Sequence, residues 1–158
     1  MKYTASICRL TAALFNQYPA NLYPELMLKP GRPYTCLAIE VFEDFTICIP
    51  FRSHISHNYA YLFSSTKRSK ESRSGLDYTK MVLVNDETFY DKTAVVVDHD
   101  EYLEAIAHMD EIANNVTIYI NQYVDHIIGS HHLHPREFDR RYKYSTLKYF
   151  HGILKINV

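Results

Sequence analysis

The sequence has no tryptophan, only three cysteines, and formal charges that cancel to −1. Each shortage excludes something. Cys8, Cys36 and Cys48 are odd in number and lie in apolar runs, so they form no disulfide framework. They read as buried free thiols in a reducing, cytoplasmic compartment. None stands in a strongly electropositive stretch, so no cysteine is marked as a nucleophile. No apolar run approaches the ~20 residues that cross a bilayer. The opening "MKYTASICRLTAALF" lacks the continuous apolar centre of a signal peptide and reads as the first element of the fold. With so little net charge, no polyanion partner follows from global electrostatics. There is no P-loop, GxGxxG, GxSxG, HExxH or CxxC, which removes the signatures of nucleotide-dependent enzymes, hydrolase elbows and common zinc sites.

What is present suits one domain spanning 1–158, with 47% hydrophobic and 22% charged residues. Residues 3–15 read as a strand turning into a short helix. Residues 16–33 hold four of the six prolines and read as a loop. "YTCLAIEVF" (34–42) and "FTICIPF" (45–51) are strands joined by a tight hairpin at Glu43 and Asp44. "YAYLF" (59–63), "TKMVLVN" (79–85) and "TAVVVD" (93–98) are further strands, and 64–74 is a loop. The short connections favour antiparallel pairing. From Tyr102 to Ile128 apolar residues recur at helical spacing, with Asp98 or Asp100 as N-cap and Gly129 as stop. A second helix begins at Pro135 and extends to about Tyr149, and "ILKINV" is expected to close the sheet. Strands first and helices later predict an antiparallel α+β domain, a small sheet or barrel with helices packed on it.

Three features carry chemistry. After Pro50, which is expected to end regular pairing, Arg52, Ser53, His54 and His57 follow within a few positions. A guanidinium holds phosphate with a planar fork of donors, and an imidazole moves protons near neutral pH. These are the parts needed to cleave RNA through its own 2′-hydroxyl. A turn whose side chains cap the backbone explains the same residues. Basic residues concentrate in 65–73 (Lys67, Arg68, Lys70, Arg73) and 135–148, which permits a basic face or a solvated surface. The histidines of "HHLH" (131, 132, 134), with His126 and His151, suggest a borderline metal, but no carboxylate is tied to them by spacing. A polar loop between helices accounts for them, and no cofactor is expected. Fourteen tyrosines offer faces for unpaired bases or amphipathic packing.

In "GRPYTCLAIEV" (31–41), "IPFRSHISHNYAYLF" (49–63) and "SGLDYTKMVLV" (74–84), the chain resembles the endoribonuclease toxins of type III toxin–antitoxin systems, the ToxN/AbiQ superfamily, in particular its TenpIN branch. A basic residue, Arg32, opens a strand. A second strand ends in Pro50, Phe51 and a serine-containing turn. Gly75 and Leu76 lead into a lysine-bearing strand at Lys80. The resemblance implies an SH3-like barrel of the Kid/MazF kind elaborated with helices, including a long one near the C-terminus. It implies metal-independent cleavage of single-stranded RNA to a 2′,3′-cyclic phosphate. It also implies inhibition by a repeated, pseudoknotted antitoxin RNA that the toxin itself cuts, in a closed RNA–protein assembly serving genome maintenance or phage defence. ToxN-type members carry a catalytic lysine just after the Ser/Thr turn, where this chain has Ile55. The expectation here is that His54 or His57 transfers the proton, while Arg52, Ser53 and Arg32 stabilise the phosphorane. Lys29, Lys67, Arg68, Lys70, Arg73 and Lys80 then track the RNA backbone. The alternatives are a non-catalytic RNA-binding module and a protein that binds metal through the histidine loop.

Overall fold

A computed structural model describes residues 3–26, 34–93 and 95–157. Lys29 and Arg32 lie outside the described residues. The described chain forms a seven-stranded antiparallel open sheet with helices: β1 (Thr4–Leu10), α1 (Ala12–Gln17), β2 (Thr35–Glu40), β3 (Thr46–Arg52), β4 (Ala60–Leu62), β5 (Gly75–Asp77), β6 (Val82–Val84), β7 (Tyr90–Asp91), α2 (His99–Ala107), α3 (Met109–Ile128) and α4 (Pro135–Tyr142). The strand path is β4-β5-β3-β2-β1-β7, with β6 also on β3. None of the helices is long and apolar enough to cross a membrane, among the described residues.

β1, β2 and β3 are the runs richest in strand formers, and they make the centre of the sheet. Cys8 lies opposite Cys36, Ala38 opposite Cys48, and all three cysteines are buried and free. The β2–β3 connection is longer than the two residues expected, because Val41 and Phe42 leave the ladder and Phe42 stacks on Phe45. Pro50 does not end pairing. It faces Cys36 inside β3, at the place where the strand changes partner from β6 (Thr46–Cys48) to β5 (Phe51 and Arg52). A residue with no N–H is tolerated where no ladder bond is required of it.

Gly75 is required where β5 pairs with β4. A Cβ there would sit well inside contact distance of the Tyr61 carbonyl on β4. Other expectations also need correction. The strand expected over 79–85 is a 3₁₀ turn, Tyr78–Lys80, followed by β6 at Val82–Val84. Residues 95–98 are irregular instead of a strand, because the pairing of β7 with β1 stops at Asp91. The C-terminal segment is a series of turns held by Leu154 N–H to Phe150 O and Ile156 N–H to His151 O. The second helix stops at Tyr142, after which Ser145 caps a separate 3₁₀ turn, Thr146–Tyr149, by accepting from Leu147 N–H.

The long helix is two helices, broken at His108, whose ring packs at 5.4 Å from Tyr61. α3 buries Ile112, Ala113, Val116, Ile120 and Tyr123, as its periodicity requires, and ends at Gly129 in the left-handed region. α2 differs. Its buried residues are Glu101, Glu104 and Ala105, and Leu103 and Ile106 face outward. The loop 64–68 explains this inversion. Glu104 accepts from Ser65 N–H (2.9 Å), Ser65 Oγ (2.6 Å), Ser64 N–H and Tyr61 Oη (2.8 Å). Glu101 takes both forks of the Arg68 guanidinium.

Candidate functional site

The site grows from the junction of β3 and β5. Arg52, at the end of β3, is opposite Gly75, two residues before Asp77. Asp77 is wholly buried and caps the 3₁₀ turn Tyr78–Lys80, accepting from Thr79 N–H (2.9 Å) and Thr79 Oγ1 (2.7 Å). Its other oxygen receives Arg52 Nη1 at 2.5 Å. His57 Nε2 lies 3.2 Å from Asp77 Oδ1 and 3.3 Å from Thr79 Oγ1. The Tyr59 backbone N–H donates to His57 Nδ1 at 3.0 Å. That donor leaves the ring proton on Nε2, where it points at the carboxylate. Burial alone would raise the Asp77 carboxyl. Hydrogen bonds from His57 and Thr79, with the nearby Arg52 charge, outweigh it and hold the group below the usual carboxylate range.

Lys80 follows in the same turn. Its side chain is nearly buried, and its Nζ donates to the Tyr144 carbonyl at 2.8 Å. Burial pushes its ammonium below the usual lysine range, against the opposing pull of Asp77. Arg52, His54, His57, Thr79 and Lys80 share one cavity of about 390 Å³. Tyr59 and Tyr144 add aromatic walls, and Arg140 and Arg141 of α4 close the far side. Both arginines also bind Glu137, at 2.7 and 2.6 Å.

His54 has a different status from His57. It is exposed and has φ +55°, in the left-handed region. Its ring has no hydrogen-bond partner among the described residues. The strain of about 1 kcal/mol is held in place by the next residue: the Ile55 side chain is buried, and its N–H donates to Arg73 O at 2.8 Å. Arg73 also donates to Asn58 Oδ1 at 2.8 Å, which ties it to the same loop. A non-glycine residue held in this conformation beside a cavity lined by Arg52, His57 and Lys80 marks a candidate working residue.

The structure therefore brings together Arg52, His54, His57 and Lys80, with Arg73 supporting the loop. Ser53 is half-buried and does not line the cavity. Lys67, Arg68 and Lys70 do not line it either. Arg68 is committed to Glu101, and Lys67 N–H to Asp100 at 2.7 Å, while the Lys67 and Lys70 side chains are exposed. The histidine loop is used internally. His126 Nδ1 accepts from Leu133 N–H and its ring stacks on Phe138 at 4.0 Å; His134 caps α4. Tyr123 Oη lies 2.6 Å from His151 Nε2. Among the described residues, no three His, Cys, Asp or Glu side chains are grouped to hold a metal.

Sequence reasoning missed Asp77, Thr79 and the cavity walls from α4. Asp77-Tyr-Thr79 has a visible pattern, yet Asp86-Glu-Thr88 and Asp91-Lys-Thr93 repeat it with the same pair of hydrogen bonds at the surface. Burial and the contact with His57 distinguish the first, since Asp91 also takes an arginine, Arg9. The chain matches no family model, no curated protein and no solved structure.

Proposed function

We propose that the chain is an endoribonuclease toxin of the type III toxin–antitoxin class, cleaving single-stranded RNA by 2′-hydroxyl transphosphorylation. The observation that carries this reading is the convergence of Arg52, His54 and Lys80 on one cavity, which His57 also lines and whose geometry buried Asp77 fixes. In this reading His54 takes the proton from the 2′-hydroxyl. The 2′-oxygen attacks the adjacent phosphorus, and the P–O5′ bond breaks. The products are a 2′,3′-cyclic phosphate and a 5′-hydroxyl: the leaving oxygen takes a proton from solvent, and the protonated His54 returns its own to solvent. Arg52 spends one of its N–H donors on Asp77 and offers the rest to the phosphorane. Lys80 neutralises charge from the cavity floor. His57 has both nitrogens engaged, so it positions Asp77 and the turn and does not exchange protons with substrate.

The Kid/MazF-like barrel belongs to the same reading. What supports it is β3, which pairs with β6 along its first half and β5 at its end, as a strand does when it bends between two sheets. Inhibition by a repeated antitoxin RNA, in a closed ribonucleoprotein assembly, rests on the resemblance in 31–41, 49–63 and 74–84.

A second reading, an RNA-binding module without cleavage, draws on the same engagement of His57 and Arg52: a fully satisfied cluster can be architectural. Cleavage of a labelled single-stranded RNA by the wild type, His54→Ala and Arg52→Ala separates the two. The toxin reading expects loss of cutting in both variants with the fold retained. Wild-type cutting by His54→Ala would remove His54 from the chemistry, and binding without cutting by the wild type would favour the module.

A further inference from the structure

α2 is turned the opposite way from an ordinary surface helix. With Glu101 and Glu104 drawn inward, it presents Tyr102, Leu103 and Ile106 to solvent at 38%, 52% and 49% exposure, and Val96 just before it is 87% exposed. The same surface reaches a strand edge where no described residue pairs with Ala5 and Ile7. β7 pairs only with Arg9 and Leu10 of β1. Leu10 N–H bonds on the β2 side, to Tyr34, and Thr11 N–H on the β7 side, to Phe89. Backbone direction alternates along a strand. Ala5 and Ile7 therefore aim their N–H and C=O groups away from β2, where no described residue pairs with them. From Tyr3 to Cys8 there is no charge and no proline, the devices that normally blunt an open edge. Ala5, Ile7, Tyr102 and Ile106 line one groove of about 350 Å³, together with Lys92 and Val95 of the segment after β7, so edge and helix are continuous.

Two observations choose the occupant. The cations around this surface are already paired within the chain, Arg9 with Asp91 and Lys92 with Glu40, and Asp110 at its rim takes the Tyr3 hydroxyl. A nucleic acid finds no unpaired cation among these groups, whereas a second copy brings a matching apolar face of Tyr102, Leu103 and Ile106. An open antiparallel edge is also complementary to itself. An axis through Ser6 sets Ala5 opposite Ile7 of the second copy and Ile7 opposite its Ala5, which pairs every outward group of the two residues. That axis stands perpendicular to the sheet and keeps both α2 helices on one face. We propose that two copies of this chain associate through β1 edges and α2 faces, joining their sheets into one. The surface shares no lining residue with the Arg52–Lys80 cavity.

The test is analytical ultracentrifugation of nuclease-treated full chain over a wide concentration range, with amide exchange at Ala5 and Ile7. The expected result is a dimer that dissociates on dilution, with both amides exchanging more slowly as concentration rises. Leu103→Glu with Ile106→Glu, both on the outer face of α2, should give a monomer that melts with the dilute wild type, below the concentrated dimer. A chain that is monomeric at every concentration overturns the proposal, even if a foreign peptide binds at the edge. So does a dimer that survives the double substitution with exchange at Ala5 and Ile7 independent of concentration.

Discussion

Asp77→Asn removes one negative charge without changing shape, at a carboxylate that takes hydrogen bonds from four directions. The Asp77 side chain is 0% exposed and receives Arg52 at 2.5 Å, His57 at 3.2 Å, and Thr79 through both N–H and Oγ1. An amide offers one acceptor and one donor side. If its oxygen stays with Thr79 and His57, its NH₂ meets the Arg52 fork, donor against donor. Breaking a buried pair by removing one partner costs ~3–5 kcal/mol. Arg52 is a quarter exposed and can turn toward water, so the low end applies, about 3 kcal/mol. For a chain of 158 residues that lowers Tm by roughly 6–12 °C. The loss has a pH signature. The folded Asp77 carboxyl is held below its unfolded value, so its stabilisation is complete above about pH 4 and disappears as pH falls through the folded value. Thermal denaturation of both proteins from neutral to acid pH should show a constant gap that narrows only in the acid range. A gap under about 1 kcal/mol at neutral pH, or one that does not narrow in acid, would refute the idea that this carboxylate holds the site.

Four further outcomes follow. His54→Gly should relieve the left-handed strain and raise stability by up to about 1 kcal/mol while abolishing cleavage, read by melting and by an RNA assay side by side. Lys80→Met should cut cleavage by about 10²-fold or more. Its Tm should change little, because relief from burying the ammonium offsets loss of its hydrogen bond to the Tyr144 carbonyl. Glu104→Gln should cost roughly 1.5–3 kcal/mol and speed amide exchange at Ser64 and Ser65, whose N–H groups it holds. Gly75→Ala should cost more than about 2 kcal/mol, since the added methyl meets the Tyr61 carbonyl, and chemical denaturation reads it directly.

β1, β2, β3 and α3 were legible in the sequence because each buries a regular face: alternating or continuous β-formers in the sheet, and Ile112, Val116, Ile120 and Tyr123 along the helix. The 93–98 run misled because β-branched residues favour extended backbone whether or not a partner is present, and here pairing ends at Asp91. Leu103 and Ile106 have core spacing yet face solvent, because hydrogen bonds from a distant loop draw Glu101 and Glu104 inward. The cluster at 52–57 was visible as residue types. Its organisation was not: three Asp-x-Thr turns look identical in sequence, and only one is buried beneath an arginine. Likewise, basic composition marked 65–73 and 135–148 alike, while the tertiary fold sets Arg140 and Arg141 on the cavity and spends Arg68 on Glu101.

The central claim is that this cavity performs transphosphorylation. The most direct test incubates the purified chain with a labelled, unstructured RNA in EDTA and determines the chemistry of the product ends. The account predicts discrete cuts bearing 2′,3′-cyclic phosphates and 5′-hydroxyls, lost in Arg52→Ala and His54→Ala. RNA that stays intact, or is cut to leave 3′-hydroxyl and 5′-phosphate ends, would contradict it.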